Sequence, residues 1–338
     1  MSVTVKDIAE ATDLSVAAVI AALGNRGRLA PRTRHRVLDV AQKLGYRPNR
    51  AARSMRTRQT GNVAILSSTD HPFSPLHSGV LAGVHDCVSE HNMHTLIARV
   101  PDDRLTSKDF VPNVLKELVC DGLLINYHFN VPPRLVELIR HFKIPSVWVN
   151  LKRESACVYP DDLGAGRLAT EHLRRLGHSR IAFVDLWCSD HYSTTDRYEG
   201  YLEVMRNAGL DGKAMSRFTH ARVPGHERIA RVRHCLAAPD RPTAMLTYGN
   251  VYATCVLTAA ASLGLTVPDQ LSVMSFDSSP IEWGGPPVTT MITPTYSLGR
   301  SAAEMILRMI DDPDQVIQPL VVPFEFFEGQ TCAQPAPG

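Results

Sequence analysis

The stretch VKDIAEATDLSVAAVIAALGN, residues 5–25, predicts two short helices joined by a tight turn. In the first helix, residues 5–12, apolar side chains recur at the spacing of one helix face. Residues 13–14 form the turn, and Ser15 is a good N-cap for the second helix. Residues 24–25, Gly-Asn, are expected to end that helix because both tolerate the left-handed conformation. The pattern predicts a helix-turn-helix unit.

A third helix is expected to complete this small domain. Pro31 suits its first turn, and Gly45 suits its C-terminal end. Its predicted buried positions are Val37, Leu38, Ala41 and Leu44. In the second helix, Val19 and Leu23 are predicted to face the same core, with Val16 nearby. The following segment, RPNRAARSMRTRQTG (47–61), is basic and poor in large apolar groups, which is typical of a linker.

The length and composition describe an ordinary globular protein of two or three domains. The chain has 338 residues, of which 44% are hydrophobic and 21% are charged. No stretch approaches 18 apolar residues, so we expect no membrane span. The start MSVTVKDIAEATDLS carries acidic residues where a signal peptide would be apolar. Its seven scattered cysteines form no CxxC pair. We therefore predict a cytoplasmic protein.

The net charge of +2 hides a strong asymmetry. Residues 1–60 hold 12 Lys and Arg against 4 Asp and Glu, a net charge of +8. The remainder holds 24 against 30, a net charge of −6. A small basic head on an acidic body indicates a polyanionic partner for the head alone.

From residue 62 onward, short apolar runs alternate with longer amphipathic segments. Near-continuous apolar strands separated by helices indicate parallel sheets covered on both faces. There are enough strands for two doubly wound α/β lobes. The predicted strands are 63–67, 95–98, 122–126, 146–150, 181–185, 243–247 and 271–276. We predict a helix-turn-helix domain over 1–46, a hinge over 47–61, a two-lobe body over 62–330, and a flexible tail over 331–338.

Several motifs in order resemble the lactose-repressor (LacI/GalR) family of bacterial transcription regulators over nearly the whole chain. They are VKDIAEATDLSVAAV (5–19), RTRHRVLDVAQKLGYRPNRAARSM (32–55), DDLGAGRLATEHLRRLGHSRIAFV (161–184), RYEGYLEVMRNAGL (197–210), GLTVPDQLSVMSFD (264–277) and PPVTTMITPTYSLGRSAAEMIL (286–307). The resemblance implies a body like periplasmic sugar-binding proteins, with a ligand between two lobes. It also implies a homodimer on a palindromic operator.

In such a head the second helix enters the major groove. Relatives commonly carry Thr, Ser and Arg where this chain has Ala18, Ile20 and Ala21, so this helix offers apolar contacts, for example to a thymine methyl. Phosphate contacts would then come from the arginines around it, although each one alone could be a solvated surface charge. The hinge of relatives folds on DNA and inserts a Leu wedge where this chain has Met55. The predicted DNA-binding residues are Ser15, Val16, Ala17, Arg26, Arg28, Arg32, Thr33, Arg34, Asn49, Ala52, Arg53, Met55 and Arg56.

The resemblance also places a ligand pocket at the carboxyl ends of the body strands. Arg197 matches the family's ligand-gripping Arg, and Asp277 matches an Asp that binds sugar hydroxyls; the two could instead form a structural ion pair. His77 and His220 could equally be surface or helix-capping residues, and Tyr248 and Trp187 could belong to the core. The predicted effector-binding residues are Leu76, His77, Asn150, Ser193, Arg197, His220, Tyr248 and Asp277. Side chains of these types suit a small polyol as the ligand. A narrower expectation is an acidic or phosphorylated sugar.

The sequence therefore predicts a DNA-binding transcription regulator, in this family most often a repressor, controlled by a small effector. The alternative is a cytosolic sugar-sensing protein whose head has lost specific DNA reading, which the apolar helix favours and the arginine cluster opposes. No nucleophile elbow, Walker loop or HExxH motif is present, so we expect no enzyme, no catalytic residue, no cofactor and no metal site. We expect no membrane partner.

Overall fold

The computed structural model describes residues 3–24, 28–48, 54, 59–69, 74, 76–128, 130–186, 191–215, 224–281 and 285–336. The chain divides into two compact units, Met1–Thr60 and Gly61–Gly338. These units are called the head and the body below.

The head contains three described helices, α1 (Val5–Thr12), α2 (Val16–Leu23) and α3 (Pro31–Lys43). Pro31 occupies the first turn of α3, as predicted. At the end of α3 the backbone of Gly45 is left-handed, with φ of 68°, and the Tyr46 amide donates to the Ala41 carbonyl. The small core of the head consists of Ile8, Ala9, Val19, Ala22, Val37 and Ala41.

Two apolar residues of the head that were expected in this core lie at its surface, since Leu38 and Leu44 are 45% and 39% exposed. Val16, which was placed near the core and also among the DNA-binding residues, is 40% exposed. Each of these short helices, of 8 to 13 residues, buries only one narrow apolar stripe against the other two. The six core residues already fill those stripes, so further apolar side chains remain at the surface. The helix α2 ends at Leu23 with Gly24 as its C-cap, as predicted, but Gly24 has φ of −88° and is not left-handed.

The first lobe of the body is a six-stranded parallel sheet in the order β11-β5-β4-β3-β1-β2. Its strands are β1 (Asn62–Ser68), β2 (His94–Val100), β3 (Gly122–Ile125), β4 (Ser146–Val149), β5 (Cys157–Pro160) and β11 (Leu320–Val322). Its helices are α4 (Ser78–Glu90), α5 (Asn113–Lys116), α6 (Pro133–Phe142) and α11 (Thr295–Asp311), with a 3-10 turn at Arg104–Thr106.

The second lobe is a six-stranded sheet in the order β12-β10-β9-β8-β6-β7. All neighbours are parallel except β12, which is antiparallel to β10. Its strands are β6 (Ile181–Val184), β7 (Lys213–Met215), β8 (Ala244–Thr247), β9 (Ser272–Asp277), β10 (Thr289–Ile292) and β12 (Glu325–Phe327). Its helices are α7 (Asp162–Arg175), α8 (Tyr192–Asn207), α9 (Gly225–Leu236) and α10 (Asn250–Ser262).

The chain passes between the lobes three times. It leaves the first sheet after β5, returns after β10 to form α11 and β11, and crosses again to place β12 in the second sheet. All seven predicted strands are confirmed to within one or two residues at their ends. Five of them, β1, β3, β6, β8 and β9, are buried along nearly their whole length, as expected for parallel sheets. The edge strand β2 is not, and its Ile97 is 53% exposed.

Glycines set the closest helix contacts in the body. A Cβ at Gly166 of α7 would lie 3.0 Å from the Arg197 Cα of α8 and closer still to its carbonyl oxygen. On the facing side, a Cβ at Gly200 would lie 2.8 Å from the Arg167 backbone nitrogen. The helices α7 and α8 therefore pack backbone against backbone, which fixes where Arg197 stands.

The predicted flexible tail is wrong for its first residues. Thr331 is fully buried, and its hydroxyl donates to the Val273 carbonyl of β9. The Ala333 carbonyl accepts a hydrogen bond from the buried His178 ring, and the Ala333 amide donates to Ser272 Oγ. The apolar pattern of the sequence did not predict that this segment is held in place, because hydrogen bonds of polar groups attach it to the second lobe. Within the described residues, no helix is both long and apolar enough to cross a bilayer.

Candidate functional site

The helix α2 presents an apolar surface behind a polar cap. The Ser15 Oγ accepts a hydrogen bond from the Ala18 amide at 3.2 Å, which confirms Ser15 as the predicted N-cap. Val16, Ala17 and Ile20 are exposed, and Val19 and Ala22 form part of the core. After its cap, the exposed face of α2 carries no side chain that can donate or accept a hydrogen bond.

The arginines of the head fall into different environments. Arg28 and Arg32 are exposed, and Thr33 and Arg34 are half-buried at the start of α3. Arg36 donates to the Thr12 carbonyl at the end of α1, so it has a structural role within the head. The other predicted DNA-binding residues lie outside the described residues; they are Arg26, Asn49, Ala52, Arg53, Met55 and Arg56.

In the body, predicted effector residues from both lobes meet at the carboxyl ends of the strands. Asn150 follows β4 in the first lobe. Tyr248 follows β8 in the second lobe, and α8 adds Ser193 and Arg197. We call this set of four side chains the cleft.

Arg197 does form a structural ion pair, but with Asp162 and not with Asp277. Its Nε donates to Asp162 Oδ1 at 2.7 Å, and the two side chains are only 9% and 1% exposed. Burial raises the pKa of the Asp162 carboxyl, and the adjacent guanidinium opposes that shift. The same guanidinium donates to the Tyr248 carbonyl at 2.9 Å. The charge of Arg197 is therefore already compensated inside the protein.

Aromatic rings cover the Arg197 guanidinium. Its central carbon lies 4.6 Å from the ring centre of Tyr248, 4.8 Å from that of Phe276 and 5.4 Å from that of Phe324. Rings at such distances attract a cation through their quadrupole and exclude water from it. Tyr248 thus belongs to the cleft and also packs against the core.

A chain of hydrogen bonds crosses the cleft from one lobe to the other. Tyr248 Oη lies 2.7 Å from Ser193 Oγ, which lies 2.6 Å from His191 Nδ1. The other ring nitrogen, His191 Nε2, is 3.0 Å from the Asn150 carbonyl in the first lobe. A carbonyl only accepts, so Nε2 carries the proton and Nδ1 accepts from Ser193.

Asn150 is the point at which the first lobe joins this network. Its φ of 57° lies in the left-handed region, which Asn tolerates. Its side-chain oxygen accepts a hydrogen bond from the Tyr192 hydroxyl at 2.9 Å. Asn150 therefore contacts the second lobe through both its backbone and its side chain.

The remaining predicted effector residues have other roles in this structure. His77 is the N-cap of α4, its Nδ1 accepting from the Gly79 amide, and its Nε2 lies 3.1 Å from Ser278 Oγ in the other lobe. Leu76 packs against the apolar core of the first lobe. Asp277 accepts from the Asn250 amide at the start of α10. His220 and Trp187 lie outside the described residues.

The sequence reasoning missed Asp162, His191 and Tyr192. Asp162 follows another Asp at the start of α7, where a helix-capping role is the simplest interpretation. His191 and Tyr192 directly precede the predicted Ser193, and this cluster of polar and aromatic residues before a helix was the available signal. The contacts of His191 and Tyr192 with Asn150 depend on how the two lobes are placed, which local sequence does not encode.

The buried His191 makes the stability of the body depend on pH. Burial lowers the pKa of its imidazole from 6.5 to about 4, with the Arg197 charge adding to the effect. The unfolded chain therefore binds a proton between pH 6.5 and 4 that the folded chain does not bind. Stability contributed by neutral His191 is fully present above pH 6.5 and is lost, by up to about 3 kcal/mol, as the pH falls toward 4.

Denaturant titrations of the full chain at pH 7.5, 6 and 5 measure this dependence. We expect His191→Gln to flatten it compared with the native chain. The exposed His234→Gln is the matched control and should leave the slope unchanged. An equal slope in native and His191→Gln protein would contradict the assignment, because the buried His178, whose pKa burial also lowers, would then carry the effect.

Comparison with known proteins agrees with this architecture. Residues 4–49 match the family described as bacterial regulatory proteins, lacI family. Residues 170–332 match the periplasmic binding protein-like domain. A helix-turn-helix head followed by a two-lobe binding body defines a class of ligand-controlled DNA-binding proteins. The chain thus combines a lacI-type helix-turn-helix domain with a periplasmic binding protein-like body, and its homologues are lacI-family regulators.

Relatives that match most of the chain are transcriptional regulators and not enzymes. The HTH-type transcriptional regulator DegA of Bacillus subtilis is 27% identical over 312 residues, covering 88% of this chain and 89% of DegA. The HTH-type transcriptional repressor CytR of Escherichia coli is 26% identical over 323 residues, covering 90% of this chain and 89% of CytR. The alternative of a sensing protein that does not regulate transcription is not favoured by these relatives.

Solved structures support the fold. The lac repressor dimer bound to operator and the anti-inducer ONPF is 19% identical, with a TM-score of 0.77, and covers 98% of this chain and 100% of that one. A LacI family transcriptional regulator from Mycobacterium smegmatis is 25% identical, with a TM-score of 0.61, and covers 81% of this chain and 100% of that one. The predicted combination of a helical head with two α/β lobes is confirmed.

Proposed function

We propose that this chain is a transcription repressor that binds a palindromic operator as a homodimer and changes its operator affinity when a small uncharged polyol, such as a neutral sugar, occupies the cleft. Residues 1–46 would contact the operator, residues 47–61 would form a hinge that folds on it, and the body would bind the effector. The observation that carries the proposal is the hydrogen-bond chain from Tyr248 to Asn150, which spans both lobes.

The series of hydrogen bonds from Tyr248 to Asn150 can couple ligand binding to the arrangement of the two lobes. A ligand shifts a conformational equilibrium only as far as it binds one state better than the other. A polyol that exchanges hydrogen bonds with Ser193 and Asn150 contacts both lobes, so its affinity differs between arrangements. Allosteric coupling of this kind typically changes affinity by about 5- to 150-fold.

The Arg197 environment supports an uncharged effector over a sugar acid or sugar phosphate. An anion in the cleft would compete with Asp162 for a guanidinium that is 2.7 Å from that carboxylate. It would also bring a second negative charge close to a buried one, which is unfavourable at low dielectric. Hydroxyl groups carry no such cost and match the donors and acceptors of Ser193, Tyr248 and Asn150.

Calorimetry on the full chain tests the effector class. The panel contains neutral sugars, sugar acids, sugar phosphates and purines, and we expect binding of a neutral sugar alone. Ser193→Ala should weaken that binding at least tenfold, whereas the exposed neighbour Thr195→Ala should leave it unchanged. Tight binding of a nucleobase or of a sugar phosphate would refute the proposed effector class.

A gel-shift assay with DNA upstream of the coding sequence tests the regulatory function. We expect a shifted complex whose affinity changes in the presence of the effector found by calorimetry. Selection of binding sites from random DNA should recover a sequence with dyad symmetry. Failure to recover any such site at moderate salt would reject specific operator binding.

A further inference from the structure

We infer that α2 reads C5-methyl groups on the floor of the major groove, so that the operator half-site presents thymine or 5-methylcytosine methyls to Val16, Ala17 and Ile20. This inference rests on the proposed operator binding and specifies the chemistry by which it is achieved. It assigns a binding partner, the C5-methyl group, to a surface of α2 that takes no part in the core of the head.

The three residues form one continuous strip. Val16 and Ile20 lie one helical turn apart and are 40% and 39% exposed, and the exposed Ala17 lies beside both. The opposite face of α2 supplies Val19 and Ala22 to the core of the head. The packing of the head therefore leaves this apolar strip exposed to a partner.

The charge around the strip identifies nucleic acid as that partner. Residues 1–60 carry a net charge of +8, and the exposed Arg28 and Arg32 follow α2 closely in the chain. The exposed Ser15 can still donate its hydroxyl proton while its oxygen caps the helix. A strip of apolar groups within a cationic surface matches the major groove, in which phosphates flank the base edges.

Only one kind of group on the floor of the major groove can make an apolar contact with the side chains of α2. Base edges in the major groove are hydrogen-bond donors and acceptors, except for the C5-methyl of thymine. Methylation of cytosine places the same group at the corresponding position. Burial of one methyl group is worth about a fourfold change in affinity, and two symmetry-related methyls about fifteenfold.

The test uses the full chain and the palindrome obtained by selection from random DNA. Each thymine is replaced in turn, in both half-sites, by deoxyuridine, which removes the methyl group and keeps the base pairing. At the contacted positions we expect about a fifteenfold loss of affinity. Replacing such a T·A pair by C·G should also weaken binding, and 5-methylcytosine in place of that cytosine should recover the same factor.

Protein variants assign the effect to α2. Ile20→Ala and Val16→Ala change exposed positions. Each should reduce the ratio of the affinities for the thymine and uracil operators toward one. Leu38→Ala, an equally exposed apolar residue of α3, should keep the native ratio. Circular dichroism melting checks that the variant heads remain folded.

The possible failures are distinct. Equal affinity for thymine and uracil at every position of a selected palindrome would overturn methyl reading and leave operator binding standing. Uracil sensitivity that persists in both α2 variants would also overturn it, because the methyl would then act through DNA shape. Recovery of no palindrome would instead count against the proposed function.

Discussion

Replacing Asp162 by alanine is expected to destabilise the body by about 3–5 kcal/mol, because the Arg197 guanidinium stays buried without its counter-charge. The pair is short, at 2.7 Å, and almost fully enclosed. Chemical denaturation of native and variant protein measures the loss as a lower midpoint. Effector binding should weaken in parallel, since an uncompensated Arg197 changes the charge of the cleft.

A second ion pair between the same two helices supplies the control. Arg167 of α7 pairs with Glu203 of α8, and their side chains are 45% and 39% exposed. Exposed pairs contribute little because water already solvates both charges, so Glu203→Ala should leave the midpoint nearly unchanged. Equal losses in the two variants would mean that burial does not set the strength of the Asp162 pair.

Replacing both members of the buried pair separates charge from packing. Asp162→Leu combined with Arg197→Met leaves no buried charge, and such replacements are often neutral or stabilising. We expect the double variant to recover most of the stability that Asp162→Ala loses and to remain defective in effector binding. A double variant no more stable than the single one would show that shape at this site matters more than charge.

Replacing Gly166 by alanine is the other large effect, expected at about 3 kcal/mol or more. Overpacking usually costs about 1–3 kcal/mol, and here the new methyl group meets backbone atoms of Arg197, which cannot rotate away. The helices α7 and α8 must separate, which also moves the Arg197 side chain. The variant should therefore lose effector affinity together with stability, by denaturation and calorimetry.

Gly225 provides the comparison for this variant. It begins α9, and a Cβ there would meet nothing within 4 Å. Gly225→Ala should be neutral or slightly stabilising, because alanine restricts the unfolded chain more than glycine does. If Gly166→Ala behaves like Gly225→Ala, the close backbone packing of α7 on α8 is not a determinant of the cleft.

The predictable part of the fold was the part with a strong local pattern. Runs such as VAILS in β1 and LSVMSFD around β9 are buried on both faces and were recognised from their apolar character. Five described strands were not predicted: β5, β7, β10, β11 and β12. Among them, β11 and β12 have three residues each and mostly exposed side chains. Their place is set by pairing with distant strands, which a local pattern does not report.

The candidate site also has a part that local sequence predicts and a part that depends on contacts between distant residues. Ser15 and Arg197 were named because each stands in a recognisable motif. The partner of Arg197 was not, because Asp162 lies 35 positions away and reaches it only through the glycine contact of α7 with α8. The exposure of Leu38 was not expected, because it depends on which stripe of α3 the neighbouring helices cover.

The order in which the lobes can be completed during synthesis follows from the three crossings of the chain. Every strand of the second lobe except β12 lies between residues 181 and 292, so its sheet can form from one continuous segment as that segment leaves the ribosome. The first lobe begins earlier and must wait, because α11 packs against α4 more than 200 residues after it. The lobe that starts first is thus finished last, and its exposed β1–β5 sheet is the surface for a chaperone to protect meanwhile.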